Sequence, residues 1–90
     1  MNDYEVNMSN YGLVDVGDKV RAYDFASRED CYIEGTVVRV VPKRGHDGYE
    51  ILVSKRVWSG EDEPDSADIG TYMRNFSNNV VKLSDIGVEA

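Results

Sequence analysis

Ninety residues leave room for one domain with one modest core. A hydrophobic share of 41% against 30% charged excludes a wholly disordered chain, and no apolar run approaches the roughly 20 residues that a spanning helix needs. The formal charge of −7, from 17 acidic and 10 basic residues, weighs against broad attraction to phosphate backbones or anionic membranes.

The first ten residues scatter single apolar side chains among Asn, Asp, Glu and Ser, so 1–10 is expected to be a flexible tail. Asp15, Gly17 and Asp18 then form a turn cluster ahead of Lys19 to Phe25, where polar and apolar residues alternate with the two-residue period of a half-buried strand. Val20 and Ala22 are expected to point inward, with Arg21, Tyr23 and Phe25 sharing the other face. Ala26 to Asp30 reads as a charged loop. Tyr32 to Val41, crowded with β-branched residues, reads as a long central strand, with Gly35 marking a close crossing or a bulge.

Pro42 to Gly48 collects turn residues, which predicts a hairpin. Tyr49 to Trp58 returns as a strand whose core face is read as Tyr49, Ile51, Val53 and Val57. Glu61 to Asp68 is an acidic run interrupted by Pro64 and is expected to be a solvated, flexible loop. A short strand or covering turn within Ile69 to Phe76, and a last strand at Val80 to Leu83, complete the set. The expected organisation is a single domain over 11–85, with 86–90 a second flexible tail.

Val16-Gly17-Asp18-Lys19-Val20 followed by Tyr32-Ile33-Glu34-Gly35-Thr36-Val37 resembles the opening of Tudor-like and other Src-homology-3-like small barrels. The resemblance implies an all-β fold: a single barrel of about five strands carrying the flexible acidic loop. Tudor domains hold a methylated cation in an aromatic cage, and the likeness makes Tyr23, Phe25, Tyr32 and Trp58 the candidate rings. The alternative role for these rings is to cover the open end of a small core. The VRAYDF and SKRVWSGE phrases, together with size and composition, also resemble small acidic proteins of bacteriophages and marine viral sequences.

Signals for chemistry are sparse. One histidine, His46, and one cysteine, Cys31, fall short of a zinc ligand set, and the acidic run lacks the spacing and central glycine of a helix-loop-helix calcium site. Acidic neighbours at Glu29 and Asp30 suit an inert thiol better than a reactive one. No cofactor, metal or catalytic residue is therefore expected, and the chain is read as a non-enzyme. A start without a secretory pattern and a single cysteine point to the cytoplasm, the host's if the protein is phage-encoded.

The leading expectation is a non-enzymatic protein-interaction module of phage or microbial origin. An alternative follows from residues 36–60, where five basic residues face two acidic ones, a net +3 that leaves −10 for the rest of the chain. Lys43, Arg44, Lys55 and Arg56 on that central hairpin, with aromatic neighbours for stacking, would bind single-stranded nucleic acid. A second alternative is an acidic nucleic-acid mimic that blocks a host enzyme.

Overall fold

The computed structural model describes residues 14–43 and 46–88, and these form an all-β architecture. Six strands, β1 (Lys19–Phe25), β2 (Arg28–Lys43), β3 (His46–Trp58), β4 (Glu61–Asp62), β5 (Tyr72–Phe76) and β6 (Val80–Lys82), make one antiparallel sheet. The hydrogen-bonded order is β4-β3-β2-β1-β6, and β5 also pairs with β3. Among the described residues the pairing does not close into a ring. Short 3₁₀ turns at Ser77–Asn79 and Leu83–Ile86 flank β6, the second capped by Gly87 at φ 79°.

Sequence dictates the entry to β1 locally. The Asp18 carboxylate accepts the Asp15 amide at 2.8 Å, the Asp15 carbonyl accepts the Asp18 amide at 3.1 Å, and Gly17 supplies the positive φ of 95°. Gly17 and Asp18 then clasp Val37 of β2 through two backbone hydrogen bonds. The expected charged loop between β1 and β2 is instead a two-residue turn at Ala26 and Ser27, with Arg28 to Asp30 already extended in β2. The central hairpin pairs Lys43 with His46.

One face of the sheet closes over Val20, Ala22, Ile33, Val37, Tyr49, Ile51, Val53 and Val80, with Val14, Val40, Ile69 and Met73 packed around them. Fully burying a Val or Ile side chain contributes about 1.5–3 kcal/mol, so this cluster accounts for the drive to fold. Three register shifts decide which residues reach it. Val38 is an extra residue between the pairs Val37↔Ile51 and Arg39↔Glu50, so it is exposed while Val40 is returned to the core side. Ser54 is the extra residue between Gly35↔Val53 and Glu34↔Lys55, and its hydroxyl donates to the Glu34 carbonyl at 3.2 Å.

Beyond Ser54 the strand is out of phase with its first half. Arg56 pairs with Ile33 and takes a core-side position, while Val57 pairs with Tyr32 on the opposite face. The sequence reading of Val57 as a core-face residue is therefore corrected: it is buried, but outside the main cluster. The third shift, between Tyr23 and Phe25 of β1, similarly takes Phe25 out of the face it was expected to share with Tyr23.

The acidic run is exposed, as expected of a solvated segment, but it is hydrogen-bonded onto β3 and is not a plain loop. Ser59 and Gly60, at φ 52° and 81°, make the tight turn that lays β4 beside the end of β3. The Glu63 amide donates to the Arg56 carbonyl at 2.8 Å, Ser66 donates back to Glu63, and Ile69 back to Ser66. Gly70 and Thr71 then straddle Val53, one donating to its carbonyl and the other accepting from its amide, before β5 covers Gly48 to Leu52. Charge repulsion along the run is offset by these backbone bonds and by one ion pair.

Candidate interaction surface

That ion pair belongs to Arg56, whose side chain is only 8% exposed. Its Nη1 donates to both carboxylate oxygens of Asp24, at 3.0 and 2.8 Å, and its Nε donates to Asp68 Oδ2 at 2.9 Å. β3 supplies the arginine by the Ser54 phase change. β1 supplies Asp24 at its own register shift, and the acidic segment supplies Asp68, whose amide is fixed by the Ser66 hydroxyl at 3.1 Å. Burial pulls the Arg56 pKa down, but the hydrogen bonds and charge of Asp24, joined by those of Asp68, outweigh it and hold the guanidinium above its ordinary value. The cluster is a charged clasp among three segments.

Trp58, two residues along on the same face, follows Arg56 outward, and its ring lies 5.9 Å from the guanidinium carbon. Phe25 meets it edge to face with centroids 6.0 Å apart, and both rings are 44% exposed. An open depression of about 230 Å³ beside them is lined by Arg56, Trp58, Glu63, Ser66 and Asp68. At the adjoining hairpin tip Arg28 hydrogen-bonds Asp30 at 3.1 Å and reaches the Ser59 hydroxyl at 3.2 Å. Those bonds hold the Asp30 carboxyl below its usual value and raise Arg28. The pair is solvent-exposed, so it shapes the tip more than it stabilises it.

The four candidate rings do not converge. Tyr23 and Tyr32 form a separate edge-to-face pair with centroids 5.8 Å apart, on the face opposite the core, where Arg21 lies 4.0 Å over the Tyr32 ring. Arg21 is held there by Glu34, at 2.7 and 2.9 Å. The single cage is thus corrected to two pairs on two faces. Each has an arginine of the chain's own against one ring, because the Tyr23/Phe25 shift sends neighbouring aromatics to different sides.

The basic set does not converge either. Lys55 is exposed on the face opposite Arg56, and Arg56 is buried in its carboxylate clasp rather than offered to a ligand. Arg44 and the Lys43 side chain lie outside the described residues. The Lys43 end of the hairpin is ten strand residues from Arg56, a separation of about 33 Å at the rise of a β-strand.

Sequence reasoning missed Asp24, Asp68 and the neighbouring Ser66 and Glu63. The one available cue was an arginine in a strand otherwise rich in Val and Ile, which calls for a carboxylate partner wherever it is buried. Asp68→Asn is expected to cost about 1 kcal/mol, since its side chain is 40% exposed and water replaces part of what the pair loses. Urea denaturation checks this, and a cost as large as that of removing Arg56 itself would show that Asp68 carries the clasp.

Among the described residues no group of three or more His, Cys, Asp or Glu side chains is placed to hold a metal ion. Cys31 is buried and unpaired, its sulfur accepting the Ser59 amide at 3.4 Å. No helix among the described residues is long and apolar enough to cross a membrane. Comparison with protein-family models, with curated proteins and with solved structures finds no match to this chain.

Proposed function

We propose that the protein is a non-enzymatic protein-interaction module built on a small Src-homology-3-like, Tudor-like barrel. The return of β6 to pair with β1 supports the barrel reading, since it draws the last strand of the β1-β2-β3-β5 meander back to the first. A reducing, cytoplasmic setting suits the buried free thiol of Cys31. Phage or microbial origin rests on the resemblance of the VRAYDF and SKRVWSGE phrases.

The observation that carries the function is the pair of half-exposed rings, Phe25 and Trp58, set at the end of the sheet on a clasp that fixes the backbone beneath them. A large aromatic pair on a rigid base is the kind of anchor that dominates protein–protein contacts. Its surroundings are acidic, which disfavours a polyanion.

The test is recovery of partners by the tagged protein from a host lysate, with and without nuclease, beside the double variant Phe25→Ser with Trp58→Ser. A partner recovered in both nuclease arms and lost with the variant is expected. Recovery that vanishes with nuclease would move the assignment to nucleic acid. As a second check, fluorescence anisotropy at 0.15 M salt is expected to give no sub-micromolar binding of single-stranded oligonucleotides.

A further inference from the structure

We propose that the Phe25 and Trp58 ledge seats an extended cationic segment of a partner protein, an inference that rests on reading the molecule as an interaction module. Segments 24–31 and 56–68 meet at this end of the sheet, joined by Gly60 donating to the Asp30 carbonyl and by Arg28 reaching Ser59. Together they hold eight carboxylates and two arginines, a net −6 out of the chain's −7. Both arginines are already engaged, Arg56 by Asp24 and Asp68, and Arg28 by Asp30. Glu29, Glu61, Asp62, Glu63 and Asp65 are exposed and make no ion pair among the described residues. Glu61 stands directly across the strand pair from Trp58, and Glu63 lines the depression beside it, so two unneutralised carboxylates border the apolar ledge within a wider acidic end of the sheet.

Such a surface selects by two physical terms at once. Desolvating the Phe25 and Trp58 rings favours an apolar side chain, and the carboxylates beside them favour ammonium or guanidinium groups flanking it. Enclosure of a single cation does not fit, because Arg56 already lies beside Trp58 and the depression next to it is open. An extended chain lying across the ledge does fit. It can rest an apolar residue on the rings and direct cationic neighbours toward Glu61, across from Trp58, and Glu63, at the edge of the depression.

Trp58 is the chain's one tryptophan, so its emission reports on the ledge directly. The probe is a nine-residue peptide with a central leucine flanked by arginines, compared with its glutamate counterpart and with a version carrying glycine in place of the leucine, all at 0.15 M salt. Saturable binding of the arginine–leucine peptide with a shift in Trp58 emission is expected. Affinity, read by anisotropy of the labelled peptide, should fall at least tenfold in the double variant Glu61→Lys with Glu63→Lys and in Phe25→Ser. It should stay within twofold in Asp85→Lys, beyond β6 at the opposite end of β1.

Equal binding of the glutamate peptide would overturn the proposal. So would a loss in Asp85→Lys about half as large, on a logarithmic scale, as that of the Glu61 and Glu63 variant, since Asp85→Lys changes the charge by half as much and binding would then follow net charge and not the ledge. Failure of the arginine–leucine peptide, with nuclease-resistant partner recovery still lost on removing Phe25 and Trp58, would remove the cationic partner and leave the interaction reading standing. Partner recovery indifferent to both rings would remove the ledge from either reading.

Discussion

Gly35→Ala is expected to cost about 3 kcal/mol or more, a large part of the roughly 5–13 kcal/mol that holds a domain of this length together. A Cβ at position 35 would run into the Leu52 carbonyl oxygen and come within 2.8 Å of the Leu52 carbonyl carbon and of Ile51 Cγ2. Most overpacking is relieved by a side-chain rotation, but here the obstacle is the backbone of the neighbouring strand. That backbone is fixed from both sides. β2 pairs along one edge of β3, and β5 pairs with Ile51 and Leu52 along the other.

Gly60→Ala is the control, because Gly60 sits at φ 81° with nothing within 4 Å of a would-be Cβ. It should incur only the strain of a Cβ-bearing residue held at positive φ, about 1 kcal/mol. Urea denaturation of the two variants separates close approach from backbone strain. A Gly35→Ala midpoint within 1 kcal/mol of the parent would show that the strands can part there at little cost.

Arg56→Ala is expected to destabilise by about 3 kcal/mol, which in a domain of this size lowers the melting temperature by very roughly 15 °C. Deleting the guanidinium leaves the Asp24 and Asp68 carboxylates facing one another without their shared cation, and it removes the stem that carries the core side of β3 out to Trp58. Asp24, at 19% side-chain exposure, has little water to fall back on. The predicted order of cost is therefore Arg56→Ala above Asp24→Asn above Asp68→Asn. Thermal melts of the three variants test it, and equal losses throughout would mean that the clasp does not distinguish its partners by burial.

Much of the fold was legible because its signals are local. Lys19 to Phe25 announces β1 with the bounds observed, Gly35 is read correctly as a point of close approach, and the central hairpin is found, although Pro42, Lys43 and His46 to Gly48, read as its turn, are already paired in its strands. The errors in which face a side chain takes lie beyond a register shift. Strict alternation carries Val57 to the core and Arg56 to solvent, whereas the unpaired Ser54 exchanges them. The shift between Tyr23 and Phe25, where Glu29 to Cys31 of β2 stand against the single Asp24 of β1, breaks the four-ring cage into two pairs.

Nothing in Ser54, or in Glu29 to Cys31, marks where the ladder slips, since a register shift is settled by how the whole ladder closes. The acidic run was misread for a related reason. Its composition reports charge, while its structure depends on backbone groups that every sequence carries.

The far edge of β3 is covered in relay, by β5, then Gly70 and Thr71, then Glu63 and β4. An uncovered edge of that length would invite strand addition from another molecule, the first step toward aggregation. The chain meets that hazard with its most acidic stretch. An incoming strand would have to displace hydrogen bonds already made and approach through carboxylates at Glu61, Asp62, Glu63 and Asp65, which repel the equally acidic copies of the same protein. A segment that contributes little to the apolar core thereby opposes edge-to-edge pairing between copies.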